Sequence, residues 1–146
     1  MEYKYLYMVP EEEQKEKLRR VLIVDDESTI QEMIEEMLLM YATEFGVRIE
    51  LVQADDPGQA LFKLLEGEDN NFDLVISDVR MPGLTGTQIY QSVEEQKPEL
   101  LKYFLFVTGF AGDIQIEMPW KALSILRKPF SYHEFKREVR RILAIA

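Results

Sequence analysis

Five short apolar runs alternate along the chain with segments whose apolar residues recur at helical spacing. Three runs are almost entirely apolar and cover residues 21–24, 74–76 and 104–107, while two weaker runs cover residues 48–53 and about 123–127. Uninterrupted apolar runs are typical of strands covered on both faces, as in a parallel sheet between helical layers. The alternation therefore predicts a doubly wound α/β domain with five strands.

The first helical segment has the strongest periodicity in the chain. Its apolar face consists of Ile30, Met33, Ile34, Met37, Leu38 and Tyr41, and its other side carries Gln31, Glu32, Glu35 and Glu36. A second helix is expected to begin after Asp56, with Pro57 at its first position, and to end near Gly67. A third helix is predicted over about residues 87–96, before the Lys97-Pro98 boundary.

Ser131 is expected to cap a final helix with two contrasting faces. One face contains Tyr132, Phe135, Val139, Ile142 and Leu143, and the other contains Lys136, Arg137, Arg140 and Arg141. The fourth helix fits less well, because nearby Gly and Pro residues leave only about residues 113–118 for it. We therefore predict a short or irregular fourth helix.

The first 19 residues stand apart from this pattern, with an alternating Tyr3, Tyr5, Tyr7 stretch followed by a charged run. A partly ordered tail and an added edge strand or helix that contacts a partner are both open interpretations. The predicted organisation is an N-terminal extension over residues 1–19 and one domain over residues 20–146, a size that suits a single domain.

Composition narrows the class of protein. No apolar run approaches the roughly 18 residues of a membrane span, and the N-terminus lacks the features of a secretory signal, so a cytoplasmic location is expected. The chain has no Cys and a single His, His133. These counts exclude disulfides and zinc–thiolate sites and disfavour Ser-His-Asp catalysis.

The net charge of −10 disfavours binding to nucleic acids. The charge is also uneven: residues 21–126 hold twenty acidic and six basic residues, whereas residues 127–146 hold two acidic and six basic ones. An acidic body with a basic last helix indicates protein partners, although solvated helix faces explain most of these charges equally well.

Polar side chains stand where the predicted strands end. Asp25 and Asp26 follow the first strand, Asp78 follows Ser77 at the end of the third, Thr108 ends the fourth, and Lys128 follows the fifth. The carboxyl ends of parallel strands meet at one edge of the sheet, where ligands bind in open α/β folds. We therefore expect three carboxylates, a hydroxyl and an ammonium group to lie close together.

Clustered carboxylates repel one another, and a divalent cation removes this conflict. Oxygen ligands without Cys or clustered His suit Mg²⁺, which takes one or two carboxylates and often a substrate phosphate. A carboxylate can also act as a nucleophile and form an aspartyl-phosphate. Such a site has roles for Thr108, as a hydrogen-bond donor to the phosphoryl group, and for Lys128, as its ion-pair partner.

At these residues the sequence resembles the receiver domain of bacterial two-component response regulators. The segments that carry the resemblance are VLIVDDE at 21–27, LVISDVRMPGLTG at 74–86, FVTG at 106–109 and RKPF at 127–130. The resemblance covers about residues 20–146. It implies a flavodoxin-like (βα)5 fold, a doubly wound parallel sheet with strand order 2-1-3-4-5.

The resemblance also implies a role for each matched residue. Asp78 is the expected phosphoacceptor, and Thr108 and Lys128 are expected to complete the catalytic set as switch hydroxyl and phosphate-pairing lysine. The expected Mg²⁺ ligands are Asp25, Asp26, Asp78 and the backbone carbonyl of Arg80. A cis Pro129 is implied as well.

The implied function is that of a single-domain phosphoacceptor, not a dedicated enzyme. Its expected partners are a histidine kinase or phosphotransfer protein and an unidentified downstream protein, with homodimer formation left open. Receivers usually carry an aromatic residue three positions before the lysine, and Ile125 departs from that pattern.

Two other functions compete with this interpretation. One is a pseudo-receiver, which has the same fold but acts as an interaction module without phosphorylation. The other is a Mg²⁺-dependent phosphohydrolase of the haloacid dehalogenase type. The triad of Asp78, Thr108 and Lys128 argues against the first, and the absence of a DxDxT motif argues against the second.

Overall fold

The computed structural model describes residues 3–6, 18–66, 71–79, 86–109 and 124–144. These residues contain one six-stranded sheet in the order β1-β3-β2-β4-β5-β6. The strands are β1 (Tyr3–Leu6), β2 (Arg19–Val24), β3 (Ile49–Ala54), β4 (Leu74–Asp78), β5 (Phe104–Thr108) and β6 (Ser124–Arg127).

Strands β2 to β6 are parallel, and numbered among themselves they have the predicted order 2-1-3-4-5. The doubly wound flavodoxin-like fold is therefore confirmed. All five apolar runs form strands, and each begins or ends within about two residues of its predicted bounds.

Strand β1 belongs to the N-terminal extension and adds an antiparallel edge to this sheet. Its Tyr3 lies opposite Val52, and its Leu6 lies opposite Ile49. Of the open interpretations for residues 1–19, the added edge strand is the one that residues 3–6 adopt. β2 begins at Arg19, one residue before the predicted domain boundary.

The described α-helices are α1 (Ser28–Phe45), α2 (Pro57–Leu61), α3 (Gly86–Gln96) and α4 (Tyr132–Leu143), and a 3₁₀ helix covers Pro98–Tyr103 before β5. Asp56 caps α2 as predicted, accepting a 2.9 Å hydrogen bond from the Gln59 N–H. Ser131 caps α4 in a reciprocal capping box with Glu134. The predicted fourth helix at about residues 113–118 lies outside the described residues. No helix among the described residues is long and apolar enough to cross a membrane.

One prediction about the helices is confirmed in its bounds, and another is wrong. The second helix continues to Glu66, close to its predicted end near Gly67, with an α-helical part to Leu61 and a π-type turn over Phe62–Glu66. In that turn Leu64 is buried and Phe62 is 58% exposed. Gln31 was predicted on the polar side of α1 but is only 9% exposed. Its amide finds hydrogen-bond partners at the sheet edge, which periodicity cannot reveal.

The core has two halves, one on each face of the sheet. Val21 and Ile23 of β2 pack with α1 and α4, whereas Leu22 and Val24 pack with α2 and α3. Alternate residues of one strand thus enter different clusters, because successive strand side chains point to opposite faces. Burial on both faces explains why the strands read as continuous apolar runs.

Candidate functional site

The predicted site residues lie at neighbouring strand ends, along one edge of the sheet. Asp78 and Thr108 are the last residues of β4 and β5, while Asp25 directly follows β2 and Lys128 directly follows β6. Because β4 pairs with both β2 and β5, Asp78 lies at the centre of this edge. The hydrogen bonds between parallel strands hold the end of β4 between β2 and β5.

Four carboxylates meet at this edge. Asp25, Asp26, Glu27 and Asp78 each offer an oxygen, and these oxygens all lie within 4.8 Å of one another. Asp25 and Asp78 are buried, with 1% and 5% of their surface exposed, whereas Asp26 and Glu27 are exposed. We call these four residues the acidic cluster. Its buried half is rigidly placed by strands, and its exposed half is open to ligands from solvent.

Asp25 is the most constrained member of the acidic cluster. Its Oδ1 accepts a 2.8 Å hydrogen bond from the Glu27 N–H. Its Oδ2 is buried and has no hydrogen-bond partner among the described residues. Burial raises the pKa of Asp25 to about 6, and the charges of Asp78 and Glu27 add to this, although the Glu27 N–H and the Lys128 charge oppose it.

This arrangement fits a divalent cation. The donors are all oxygen atoms, as Mg²⁺ prefers, and the cluster contains more carboxylates than the one or two that Mg²⁺ usually needs. A buried carboxylate oxygen without a partner costs free energy unless something pairs with it. A cation at the cluster would supply that partner for Asp25.

The metal-free stability of the Asp25→Asn variant tests this description. At pH 7.5 in EDTA, we expect the substitution to raise the free energy of unfolding by about 1 to 3 kcal/mol, because it removes a buried charge. The new amide keeps a carbonyl oxygen for the Glu27 N–H.

The gain is expected to depend on pH. The pKa of Asp25 is about 6 in the folded chain against an ordinary 3.8, so between these values the folded chain holds more protons than the unfolded chain. Wild-type stability therefore falls as the pH rises through this interval, and the advantage of the variant shrinks towards pH 4.5. Denaturant unfolding followed by circular dichroism measures the free energy of unfolding of the variant and the wild type at pH 7.5 and pH 4.5. An equal stabilisation by Asp25→Asn at the two pH values would contradict a buried charge at Asp25.

Lys128 contacts the central carboxylate of the edge. Its Nζ lies 3.4 Å from Asp78 Oδ2, and its side chain is 19% exposed. The peptide bond between Lys128 and Pro129 is cis, as the resemblance implies. The Lys128 N–H donates a 2.7 Å hydrogen bond to the Thr108 carbonyl, which extends the β5–β6 pairing to the site.

Thr108 is buried at 1% exposure, on the strand next to Asp78. In the register of β4 and β5, Asp78 lies opposite Val107, one residue before Thr108. The hydroxyl-bearing residue is thus adjacent to the central carboxylate. Arg80, whose backbone carbonyl was predicted as a metal ligand, lies outside the described residues.

Two residues of this edge were missed by the sequence analysis. Glu27 belongs to the acidic cluster, and its place directly after Asp25 and Asp26 was the available signal. Gln31 donates hydrogen bonds from Nε2 to the Asp25 carbonyl and, at 3.2 Å, to Asp55 Oδ1. Nothing local distinguishes Gln31 from the other polar residues of its helix.

Other residues near this edge lie outside the acidic cluster. Asp55 and Asp56 follow β3, and neither belongs to the cluster. His133, the single His, is exposed on α4. Ile125 of β6 is half-buried against the core cluster shared with α2 and α3, opposite Phe106. The aliphatic residue therefore packs on the sheet face, away from the α1 and α4 side.

The sheet order, the acidic cluster and the Lys128–Asp78 contact together define a receiver-type signalling domain. The family model for the response regulator receiver domain matches residues 21–140. The chain belongs to this family. Receiver domains are signalling modules of two-component systems, which favours this function over the phosphohydrolase interpretation.

Similar proteins come from bacteria and plants. The chain is 33% identical to the chemotaxis protein CheY of Pseudomonas aeruginosa over 127 residues, which cover 84% of this chain and 94% of CheY. It is 33% identical to the two-component response regulator ARR14 of Arabidopsis thaliana over 117 residues, 80% of this chain. These residues span only 29% of the length of ARR14.

A solved structure supports the same fold. The chemotaxis protein CheY4 of Vibrio cholerae superimposes with a TM-score of 0.67 and 28% identity, covering 87% of this chain and 100% of CheY4. The receiver fold is therefore shared with CheY4 over 87% of this chain.

Proposed function

We propose that this receiver domain accepts a phosphoryl group on Asp78, with Mg²⁺ bound at the acidic cluster, and then signals through contact with another protein. The observation that carries the proposal is the position of Asp78. It is buried at the centre of the sheet edge, contacts Lys128 and lies within 4.8 Å of three further carboxylates. The donor would be a histidine kinase or a phosphotransfer protein, the partners of receiver domains.

Asp78 is proposed as the nucleophile. A carboxylate oxygen forms the bond to phosphorus while the phosphorus–nitrogen bond to the donor imidazole breaks, and the product is an aspartyl-phosphate. The end of β4 holds the Asp78 backbone in the parallel ladder, which reduces the reorganisation needed to reach the donor.

Asp25, Asp26 and Asp78 are proposed to hold the cation. When bound, Mg²⁺ neutralises charge on the transferring group and so permits an anionic donor to approach the carboxylates. Burial of Asp25 fixes one ligand, while the exposed Asp26 completes the set from the solvent side. The Arg80 carbonyl remains a further proposed ligand from the resemblance.

Lys128 and Thr108 are proposed to recognise the phosphoryl group. The Lys128 ammonium already lies 3.4 Å from Asp78 and would pair with phosphoryl oxygens added there. Thr108, buried on the adjacent strand, would donate a hydrogen bond from its hydroxyl to the same group. Formation of that bond would couple the phosphorylated state to the position of β5.

Intact-mass measurement with a small phosphodonor tests the proposed function. Incubation with acetyl phosphate and Mg²⁺ is expected to add one phosphoryl group to the wild-type chain, and EDTA is expected to prevent this. No addition under either condition would support the pseudo-receiver. Continued donor hydrolysis without any phosphorylated protein would support a phosphohydrolase.

A further inference from the structure

Glu27 occupies the N-cap position of α1 but does not cap the helix. Its side chain makes no capping hydrogen bond, and its backbone N–H is used by Asp25 Oδ1. Helix N-caps favour Ser, Thr, Asp and Asn, whose short side chains reach the free N–H groups. When a residue does not match the type favoured at its position in a helix, a function at a neighbouring site often explains it.

The Glu27 carboxylate lies among like charges. Its oxygen is within 4.8 Å of oxygens from Asp25, Asp26 and Asp78, although its side chain is exposed and Glu has several rotamers that lead away from them. The cluster has four carboxylates, and Lys128 contributes one opposing charge through Asp78. The negative charge near Glu27 therefore exceeds the positive charge that the nearby lysine supplies.

An independent feature indicates that a cation belongs here. Asp25 is 1% exposed, and its Oδ2 has no hydrogen-bond partner among the described residues. A buried, unpaired carboxylate oxygen is costly, and a cation is the ligand that pairs with it without a proton donor. Glu27 follows Asp25 by two residues and is tied to it through the N–H to Oδ1 bond.

We propose that Glu27 supplies a fourth carboxylate to the cation site, bound to the divalent cation directly or through one of its water molecules. This inference rests on the proposed function, because it assumes that the acidic cluster binds Mg²⁺. Mg²⁺ retains several waters at protein sites, so an exposed carboxylate near two other ligands has water molecules to bind. Glu27 would tighten cation binding before any phosphoryl group arrives.

Calorimetric titration with Mg²⁺ tests the role of Glu27. We expect Glu27→Gln, which keeps the shape and removes the charge, to weaken Mg²⁺ binding roughly fivefold or more. The matched control is Glu36→Gln, which removes an exposed charge from the same helix about 13 Å further along its axis. The control is expected to change the dissociation constant less than about twofold, since the screening length is about 10 Å at 0.1 M salt.

High salt separates ligation from a general charge effect. In 1 M KCl the screening length is about 3 Å, so an effect of remote charge disappears whereas the loss of a ligand persists. Two results would overturn the proposal. One is that Glu27→Gln and the wild type have equal dissociation constants for Mg²⁺ in 0.1 M salt. The other is that the two constants differ in 0.1 M salt but become equal in 1 M KCl.

The same titrations distinguish this inference from the proposed function. One outcome would contradict only the role of Glu27: the wild type binds Mg²⁺, Asp26→Asn binds it weakly, and Glu27→Gln binds it as tightly as the wild type. If the wild type shows no Mg²⁺ binding, both the proposed cation site and the role of Glu27 are wrong.

Discussion

The Asp78→Asn variant is expected to accept no phosphoryl group from acetyl phosphate under conditions that phosphorylate the wild type. An amide at this position cannot act as the nucleophile, although it keeps the shape of the side chain and an oxygen for Lys128. Intact mass measures the uptake. Treatment of the wild-type product with hydroxylamine, which displaces phosphate from acyl phosphates and leaves a hydroxamate, should replace the phosphoryl mass increase with the smaller increase of the hydroxamate.

The matched control is Asp55→Asn. Asp55 is exposed at the end of β3 and outside the acidic cluster, and an Asn there still offers an oxygen to Gln31. This variant is expected to be phosphorylated like the wild type. Phosphorylation of Asp78→Asn to the wild-type extent would move the acceptor to another carboxylate.

Asp26→Asn is expected to weaken Mg²⁺ binding at least about tenfold. A unit charge 4 Å from another contributes about 1 kcal/mol in water and about 4 kcal/mol near a protein surface, and tenfold in affinity corresponds to about 1.4 kcal/mol. Asp26 is exposed and able to adapt to the cation, whereas one oxygen of Asp25 already accepts a hydrogen bond. We therefore expect Asp26→Asn to have a larger effect than Asp25→Asn.

Calorimetric titration with Mg²⁺ of Asp26→Asn, Asp25→Asn and Asp55→Asn measures the three dissociation constants and checks this expected order. The Asp55 variant removes the same charge from the same edge and should bind Mg²⁺ nearly as tightly as wild type. If Asp26→Asn binds Mg²⁺ with the wild-type dissociation constant, Asp26 is not a ligand and the cation is held by the remaining carboxylates.

The departure from the family pattern at Ile125 lies on a face of the sheet and outside the acidic cluster. Ile125 lies on β6 and packs on the face that β6 shares with α2 and α3. The acidic cluster and Lys128 lie at the carboxyl edge of the sheet. We therefore expect phosphorylation at this edge, as proposed above, to tolerate the aliphatic residue at position 125.

The pattern of residues along the chain was enough to predict the five parallel strands, the starts of α2 and α4, and the placement of the proposed site residues at strand ends. Strands buried on both faces must be apolar throughout, and caps such as Asp56 and Ser131 act within one turn, so both leave local signals. Polar residues at strand ends could be assigned to one edge because parallel strands share their direction.

Which of these residues come into contact, and what surrounds them, could be seen only in the folded chain. The pairing of residues 3–6 with β3, the burial of Gln31 and the raised pKa of Asp25 all depend on groups distant in sequence. Glu27 is adjacent to Asp25 and Asp26 in the sequence, but its proximity to Asp78, about fifty residues away along the chain, exists only in the folded structure. Local periodicity reports which face of an element is buried, but burial, charge and hydrogen bonding at a site are set by distances between elements, and those exist only in the folded chain.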